Sequence, residues 1–265
     1  MRAVILAAGR GGRLRDVTGK WPKCMARIGD RTLIERQIRS LRACGIDAIT
    51  VVAGYRAGDV RRGCGPGVDV VVNTRHAATN SLYSLWLARD LLRDGFVVLN
   101  CDVLFHDQLL RDLLSARDED ALLMAAARGE EYGDEEMKVR VRRGCVVDID
   151  KNLDPAEADG ENVGIAKFGR AGARVLVEEA NALVSAGAVH EWAPRAFAAF
   201  ARRRPLHVVD TRGYPWIEID FPDDYWRACA DILPAITDDD ATGDRRRATL
   251  VPARVTASGR TLHHV

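Results

Sequence analysis

The chain has 265 residues, 47% hydrophobic and 29% charged, enough for one sizeable α/β domain or two small ones sharing a sheet. A formal net charge of +1 gives no reason to expect nucleic acid or a membrane surface as a partner, so any anion is held by a local cluster. No apolar run approaches the roughly 18–20 residues needed to span a bilayer.

Residues 3–8 are a continuous apolar run ending in glycines, the pattern of a buried parallel strand. Thr32 to Glu35 reads as a capping box opening a helix through Ile34, Ile38 and Leu41, and Gly45 supplies its stop. Residues 48–53 and 68–72 read as the next two strands. Asn80 and Ser81 can cap a helix whose apolar side carries Leu82, Leu85 and Trp86. A fourth strand, 96–99, runs into Asn100-Cys101-Asp102. This rhythm implies right-handed crossovers and a mainly parallel sheet. Residues 121–127, 137–142, 145–149 and 162–168 read as strands with short turns, antiparallel additions to the same sheet. Helices are expected near 172–186 and 194–202, strands near 206–210 and 215–219, and a last helix from Asp223. Beyond about residue 236 the periodicity fades, and a weakly ordered tail, 236–265, is expected.

The N-terminus enters a strand with no basic region and cleavable apolar segment before it. Cysteines at 24, 44, 64, 101, 145 and 229 form no CxxC pair, so reduced thiols and a cytoplasmic protein are expected.

The sharpest signal is Leu6-Ala7-Ala8-Gly9-Arg10-Gly11-Gly12-Arg13-Leu14, followed by Trp21-Pro22-Lys23. Glycines after a buried strand let backbone N–H groups approach phosphate oxygens, and Arg13 and Lys23 add positive charge. A tight strand-to-helix turn without a ligand is the other reading. A dinucleotide fingerprint fails because Leu14 stands in the third glycine slot, and a P-loop fails because Gly19-Lys20 is followed by Trp21. Asp102 stands just past a buried strand, where open parallel sheets put their ligands, or else as a cap or turn residue. Glu218 and Asp220, two apart on a strand pattern, face the same way, either toward a ligand or toward solvent. Asn80-Ser81 is a helix cap on either reading. His76, His106, His190 and His207 have no ligand-like spacing. Trp21, Trp86, Trp192, Trp216 and Trp226 could supply a cation–π box, with Trp86 expected in the core.

The Leu-Ala-Ala-Gly-x-Gly start with Pro22-Lys23 resembles the nucleotidyltransferases that activate sugar phosphates and alcohol phosphates. Thr79 to Leu85, Glu136-Met137-Lys138-Val139 and Trp216 to Asp220 resemble the bacterial phosphocholine cytidylyltransferases and related phosphonate cytidylyltransferases. Gly12 departs from that pattern, where relatives often carry Thr or Ser. The resemblance implies a three-layer α/β/α sandwich with a mixed, mainly parallel sheet of the nucleotide-diphospho-sugar transferase, Rossmann-like type. It implies a single nucleotidyltransferase domain over 1–235, with a nucleotide-binding half (1–110) and an acceptor-binding half (111–235). Leu6, Ala7, Ala8, Gly9, Gly11, Gly12, Arg13, Lys23, Thr79, Asn80 and Ser81 would hold the nucleotide. Mg²⁺ would sit on Asp102, Glu218 and Asp220, and Arg13, Lys23, Asp102 and Asp220 would carry the transfer. The expected substrates are CTP and a small phosphate or phosphonate acceptor, and the expected assembly is a homodimer. An acceptor phosphate is already ionised near neutral pH, so no general base is needed.

The acceptor grip is sought among the lysines. Of 39 basic residues only five are lysine (20, 23, 138, 151 and 167), so generic positive charge here is arginine and a retained lysine stands out. A compact ammonium enters a small anionic pocket more readily than a guanidinium fork. Lys138, Lys151 and Glu161 are the acceptor-binding candidates, Lys138 favoured, although a polar strand face would also account for the lysines. Two rivals remain open: a sugar- or cyclitol-phosphate nucleotidyltransferase using UTP, GTP or dTTP, and a catalytically silent nucleotide-binding regulator.

Overall fold

The computed structural model describes residues 1–127, 132, 133 and 135–241. Its strands are β1 (Arg2–Ala7), β2 (Arg27–Ile28), β3 (Arg31–Thr32), β4 (Ile49–Ala53), β5 (Val68–Val72), β6 (Phe96–Asn100), β7 (Val103–Phe105), β8 (Ala121–Ala126), β9 (Lys138–Arg142), β10 (Cys145–Asp150), β11 (Gly160–Phe168), β12 (His207–Asp210) and β13 (Trp216–Glu218). Its helices are α1 (Arg15–Thr18), α2 (Leu33–Ala43), α3 (Ala57–Cys64), α4 (Ser81–Leu87), α5 (Asp107–Ser115), α6 (Arg170–Ser185), α7 (Pro194–Ala201), α8 (Pro222–Arg227) and α9 (Leu233–Ala241).

Nine strands form one sheet in the order β5-β4-β1-β6-β11-β8-β12-β10-β9. The β5-β4-β1-β6 half is parallel. β11 then joins antiparallel to both β6 and β8, while β12 runs parallel to β8. β9 pairs with β10 and also with β11, which closes that end of the sheet on itself.

β1 shows how the two faces are filled. Ala3, Ile5 and Ala7 belong to one core cluster, Val4 and Leu6 to another, as the period of two requires. The first cluster takes Ile34, Ile38 and Leu41 from α2 and Leu109, Leu110 and Leu113 from α5. The second takes Leu82 and Leu85 from α4, Leu176 from α6, and Phe197 and Phe200 from α7. Helices on both faces make a three-layer α/β/α sandwich, and burial on both faces is why the parallel strands read as unbroken apolar runs. α2 starts as its sequence demands: Oγ1 of Thr32 accepts from the Glu35 N–H, and the Thr32 N–H donates to Oε2 of Glu35 at 2.7 Å.

A third, smaller core lies beyond the strand ends. Leu14, Ile28, Leu33, Leu104, Ile217, Ile219 and Ile236 build it around β7 and β13, which pair antiparallel as a separate two-stranded sheet. The strand expected over 215–219 is therefore present but outside the main sheet. Within the segment expected to be a weakly ordered tail, α9 continues to Ala241 and Ile236 is buried in the third core. Residues 242–265 lie outside the described residues. Trp86, expected in the core, is only half-buried, and its indole N–H donates to Oδ1 of Asn181 at 2.7 Å. All six cysteines are free thiols, and no described helix is long and apolar enough to cross a membrane.

Candidate active site

The chain leaves β1 through Ala8 and Gly9 and turns at Gly11, whose φ is +67°. A Cβ at Gly11 would also lie 2.6 Å from Cβ of Lys23, so glycine is required there by conformation and by packing. Leu14, fully buried in the third core, pins the middle of the loop. Pro22 then leads into a short 3₁₀ turn, Lys23–Met25, that brings Lys23 back beneath the glycines.

Lys23 is 9% exposed, and its ammonium donates to Oδ2 of Asp102 at 2.9 Å and to Oδ1 of Asp220. Antiparallel pairing of β13 with β7 puts those two acids side by side. Glu218 lies opposite Val103, and the Ile219 N–H donates to the Asp102 carbonyl at 3.0 Å. Burial alone would lower the Lys23 pKa, but the charges of Asp102 and Asp220 outweigh it and raise the value above the ordinary lysine range. Burial, then repulsion from Asp102 and Asp220, pushes the Glu218 carboxyl well above its ordinary value. Asp102, Glu218 and Asp220 each offer an oxygen, all within 4.8 Å of one another. Oδ1 of Asp102 is buried without a hydrogen-bond partner, a cost tolerated where a cation completes the site. Three hard oxygen donors and an orphaned buried carboxylate oxygen fit Mg²⁺.

These groups face a cavity of about 350 Å³ at the C-terminal ends of the parallel strands. Its walls include Leu6, Ala8, Gly9, Gly11, Gly12, Arg13, Lys23, Thr79, Asn80, Ser81, Asp102, Lys151, Glu218 and Asp220. Ala7 is not among them; it belongs to the first core cluster beneath the loop. Glu161 is likewise absent from the walls. Lys138 is also absent: it is 2% exposed, and its ammonium donates to the Lys151 backbone carbonyl at 2.6 Å. Lys151 does line the cavity, its ammonium 5.1 Å from the Trp192 ring centroid.

Sequence reading gave no site role to the wall residues Ser84, Asn100, Glu135 and Asn162, set His76 aside for want of ligand-like spacing, and raised Trp192 only as one of five tryptophans that could supply a cation–π box. It also missed Asn73 behind the wall. Asn73 is 1% exposed, and its Nδ2 donates to Oγ1 of Thr79 and Oγ of Ser84, both at 3.1 Å. That holds the 79–84 segment against the sheet. Oδ1 of Asn80 accepts from the Ser81 N–H at 2.8 Å, and Oγ of Ser81 accepts from the Ala193 N–H at 2.8 Å. Asn80 and Ser81 therefore serve the helix cap and also line the cavity. The available signal for Asn100 was its place at the end of β6; nothing local marks Asn73, Asn162 or Trp192.

A three-layer sandwich with a glycine loop, a buried lysine and a carboxylate cluster at its parallel strand ends is the architecture of a nucleoside triphosphate transferase domain. The chain belongs to the family described as the MobA-like NTP transferase domain, which matches residues 3–157. It is 34% identical over 228 residues to the bifunctional IPC transferase and DIPP synthase of Rubrobacter xylanophilus, covering 84% of this chain and 50% of that protein. It is 36% identical over 115 residues to the choline-phosphate cytidylyltransferase of Streptococcus pneumoniae, covering 43% of this chain and 50% of that protein. These alignments span about half the length of each relative. The fold is also that of the inositol-1-phosphate CTP transferase from T. maritima, with TM-score 0.73 and 21% identity over 89% of this chain and 96% of that one.

Proposed function

We propose that this protein is a magnesium-dependent nucleotidyltransferase that moves CMP from CTP onto a small phosphorylated alcohol or phosphonate and releases pyrophosphate. The observation that carries the reading is Lys23. It packs against Gly11 of the loop and bonds Asp102 and Asp220, so the cation and both carboxylates meet at one end of the cavity. The relative named choline-phosphate cytidylyltransferase supports CTP as donor.

Backbone N–H groups of the glycine loop bind the triphosphate, while Arg13 and Lys23 offset charge on the departing pyrophosphate. Asp102, Glu218 and Asp220 would hold Mg²⁺, which when bound supplies charge neutralisation at the α-phosphoryl group. An acceptor oxygen attacks the α-phosphorus, a new P–O bond forms, and the bond to the β-phosphoryl oxygen breaks. No proton has to move, which suits a site without a nucleophile–base pair. Lys151 rather than Lys138 takes the acceptor's anion, since only Lys151 lines the cavity.

A specific observation favours one kind of acceptor within this reading. The Lys151 ammonium lies over the Trp192 ring, the face a quaternary ammonium would need. A cyclitol or sugar phosphate therefore suits the described walls better than phosphocholine. Pyrophosphate release tests this, with four triphosphates crossed against phosphocholine, 2-aminoethylphosphonate, and cyclitol and sugar phosphates. Turnover with CTP and a neutral-headed phosphate is expected. Silence across the whole grid would remove the enzymatic reading, and preference for another triphosphate would remove the cytidylyl assignment.

A further inference from the structure

Glu135 stands between the nucleotide side and the acceptor side of the cavity. Its Oε1 lies 2.8 Å from Nη2 of Arg13 on the glycine loop, and its Oε2 accepts from Nζ of Lys151 at 3.0 Å. One oxygen is thus committed to each of the two cations assigned above to the two substrates. The hydrogen bond from Arg13, then that from Lys151, holds the Glu135 carboxyl below its ordinary value. It is therefore an anion wherever the enzyme works, and it sits where anionic substrates must go. Lys151 has a second restraint, the Trp192 ring 5.1 Å from its ammonium, which keeps it in the wall when the carboxylate leaves.

Building on the transferase reading, we propose that Glu135 is a positioning residue that couples the two subsites, pairing with Arg13 and Lys151 until the first anionic substrate displaces it from both. A carboxylate bridging two cations competes with an anion at either one. When a triphosphate takes Arg13, Glu135 loses that partner and meets a new negative charge beside it. It moves away and releases Lys151. The first substrate to bind bears the whole displacement and the second bears none, so each improves the affinity of the other. That coupling opposes the direct repulsion between a triphosphate and an anionic acceptor. A residue that merely fastened its own segment would change stability and leave the coupling alone.

Calorimetric titration of the full chain with Mg²⁺ tests this, using the α,β-methylene analogue of CTP as nucleotide probe and methylphosphonate as the anion probe for Lys151. Glu135→Gln keeps the shape and removes the charge, and a thermal melt checks that the variant folds. The variant is expected to bind the nucleotide analogue roughly three- to tenfold more tightly, the range released by loss of partly exposed ion pairs and their repulsion. Methylphosphonate is expected to tighten nucleotide binding in the wild type and not in Glu135→Gln. Glu135→Asp, charged but too short to reach both cations, is expected to lose the coupling as well. Unchanged or weaker nucleotide affinity in Glu135→Gln overturns the proposal, as does methylphosphonate having no effect on the wild type or an equal effect on both. Pyrophosphate release keeps the two readings separate. Wild-type turnover upholds the transferase whatever Glu135→Gln does; tighter binding in the variant with no turnover anywhere upholds the counter-ion and sinks the transferase.

Discussion

Gly11 and Gly12 are neighbours with opposite tolerances. Gly11 has positive φ and faces Lys23, whereas a Cβ on Gly12 meets nothing within 4 Å. Gly11→Ala should lose about 1–3 kcal/mol of stability and displace Lys23, cutting pyrophosphate release. Gly12→Ser should melt like the wild type. Thermal melts of the two variants decide, and equal behaviour would contradict the loop geometry. Asp102→Asn or Asp220→Asn should lower turnover on the order of 10³-fold with the fold intact, about 4 kcal/mol of transition-state stabilisation; activity within tenfold of wild type removes that residue from the metal set. Burial pushes the Cys64 thiol up to about 12, so at pH 8 almost none is thiolate. Peptide mapping after a thiol-labelling reagent should find Cys64 unmodified in native protein and labelled after denaturation. The glycine loop, Lys23, Asp102 and Asp220 were visible in sequence because each sits at a strand end or in a local motif. Glu135 was not, and Trp192 was raised only as one of five cation–π candidates, because only tertiary folding brings them to the cavity.

The elements with complete local signals were readable, and those without were not. α2 has its capping box and apolar stripe; α3 begins at Arg56 in a left-handed conformation (φ +50°) with no capping side chain, and nothing announces it. β7 is three residues long, too short for an alternating pattern to show, yet it supplies the register that sets Asp102 beside Asp220. β13 was read as a strand, but its place outside the main sheet depends on that partner. Asp120 joins elements in a way no periodicity reveals. It is 3% exposed at the start of β8, accepts from the Gly169 N–H at 2.9 Å, pairs with Arg204, and lies where a Cβ of Gly172 would be. Gly→Ala inside a helix ordinarily stabilises by about 0.4–1 kcal/mol. Gly172→Ala should instead destabilise by roughly 2 kcal/mol, read by chemical denaturation, because the clash is with a tethered, buried carboxylate. A variant as stable as wild type would show that Asp120 can give way.

At the scale of the whole molecule, the proposed Mg²⁺ is expected to serve the reaction and not the fold. Lys23 already offsets part of the charge of Asp102 and Asp220, and the three cores of the described residues support the fold without a metal. Chelation should therefore stop pyrophosphate release while moving the melting temperature of nucleotide-free protein by less than roughly 2 °C. A large drop would make the ion structural. The separation of the site's parts along the chain has a further effect, in time rather than space. Lys23 and Asp220 are 197 residues apart. At about 5–20 residues per second the ribosome delivers the lysine roughly 10–40 s before the acid it must meet. Throughout that interval the glycine loop exists without the strand that completes the carboxylate cluster. A chain released before β13 has only Asp102 of the three clustered carboxylates. On the proposed chemistry, such a truncated product is expected to be inert toward triphosphate rather than wasteful of it.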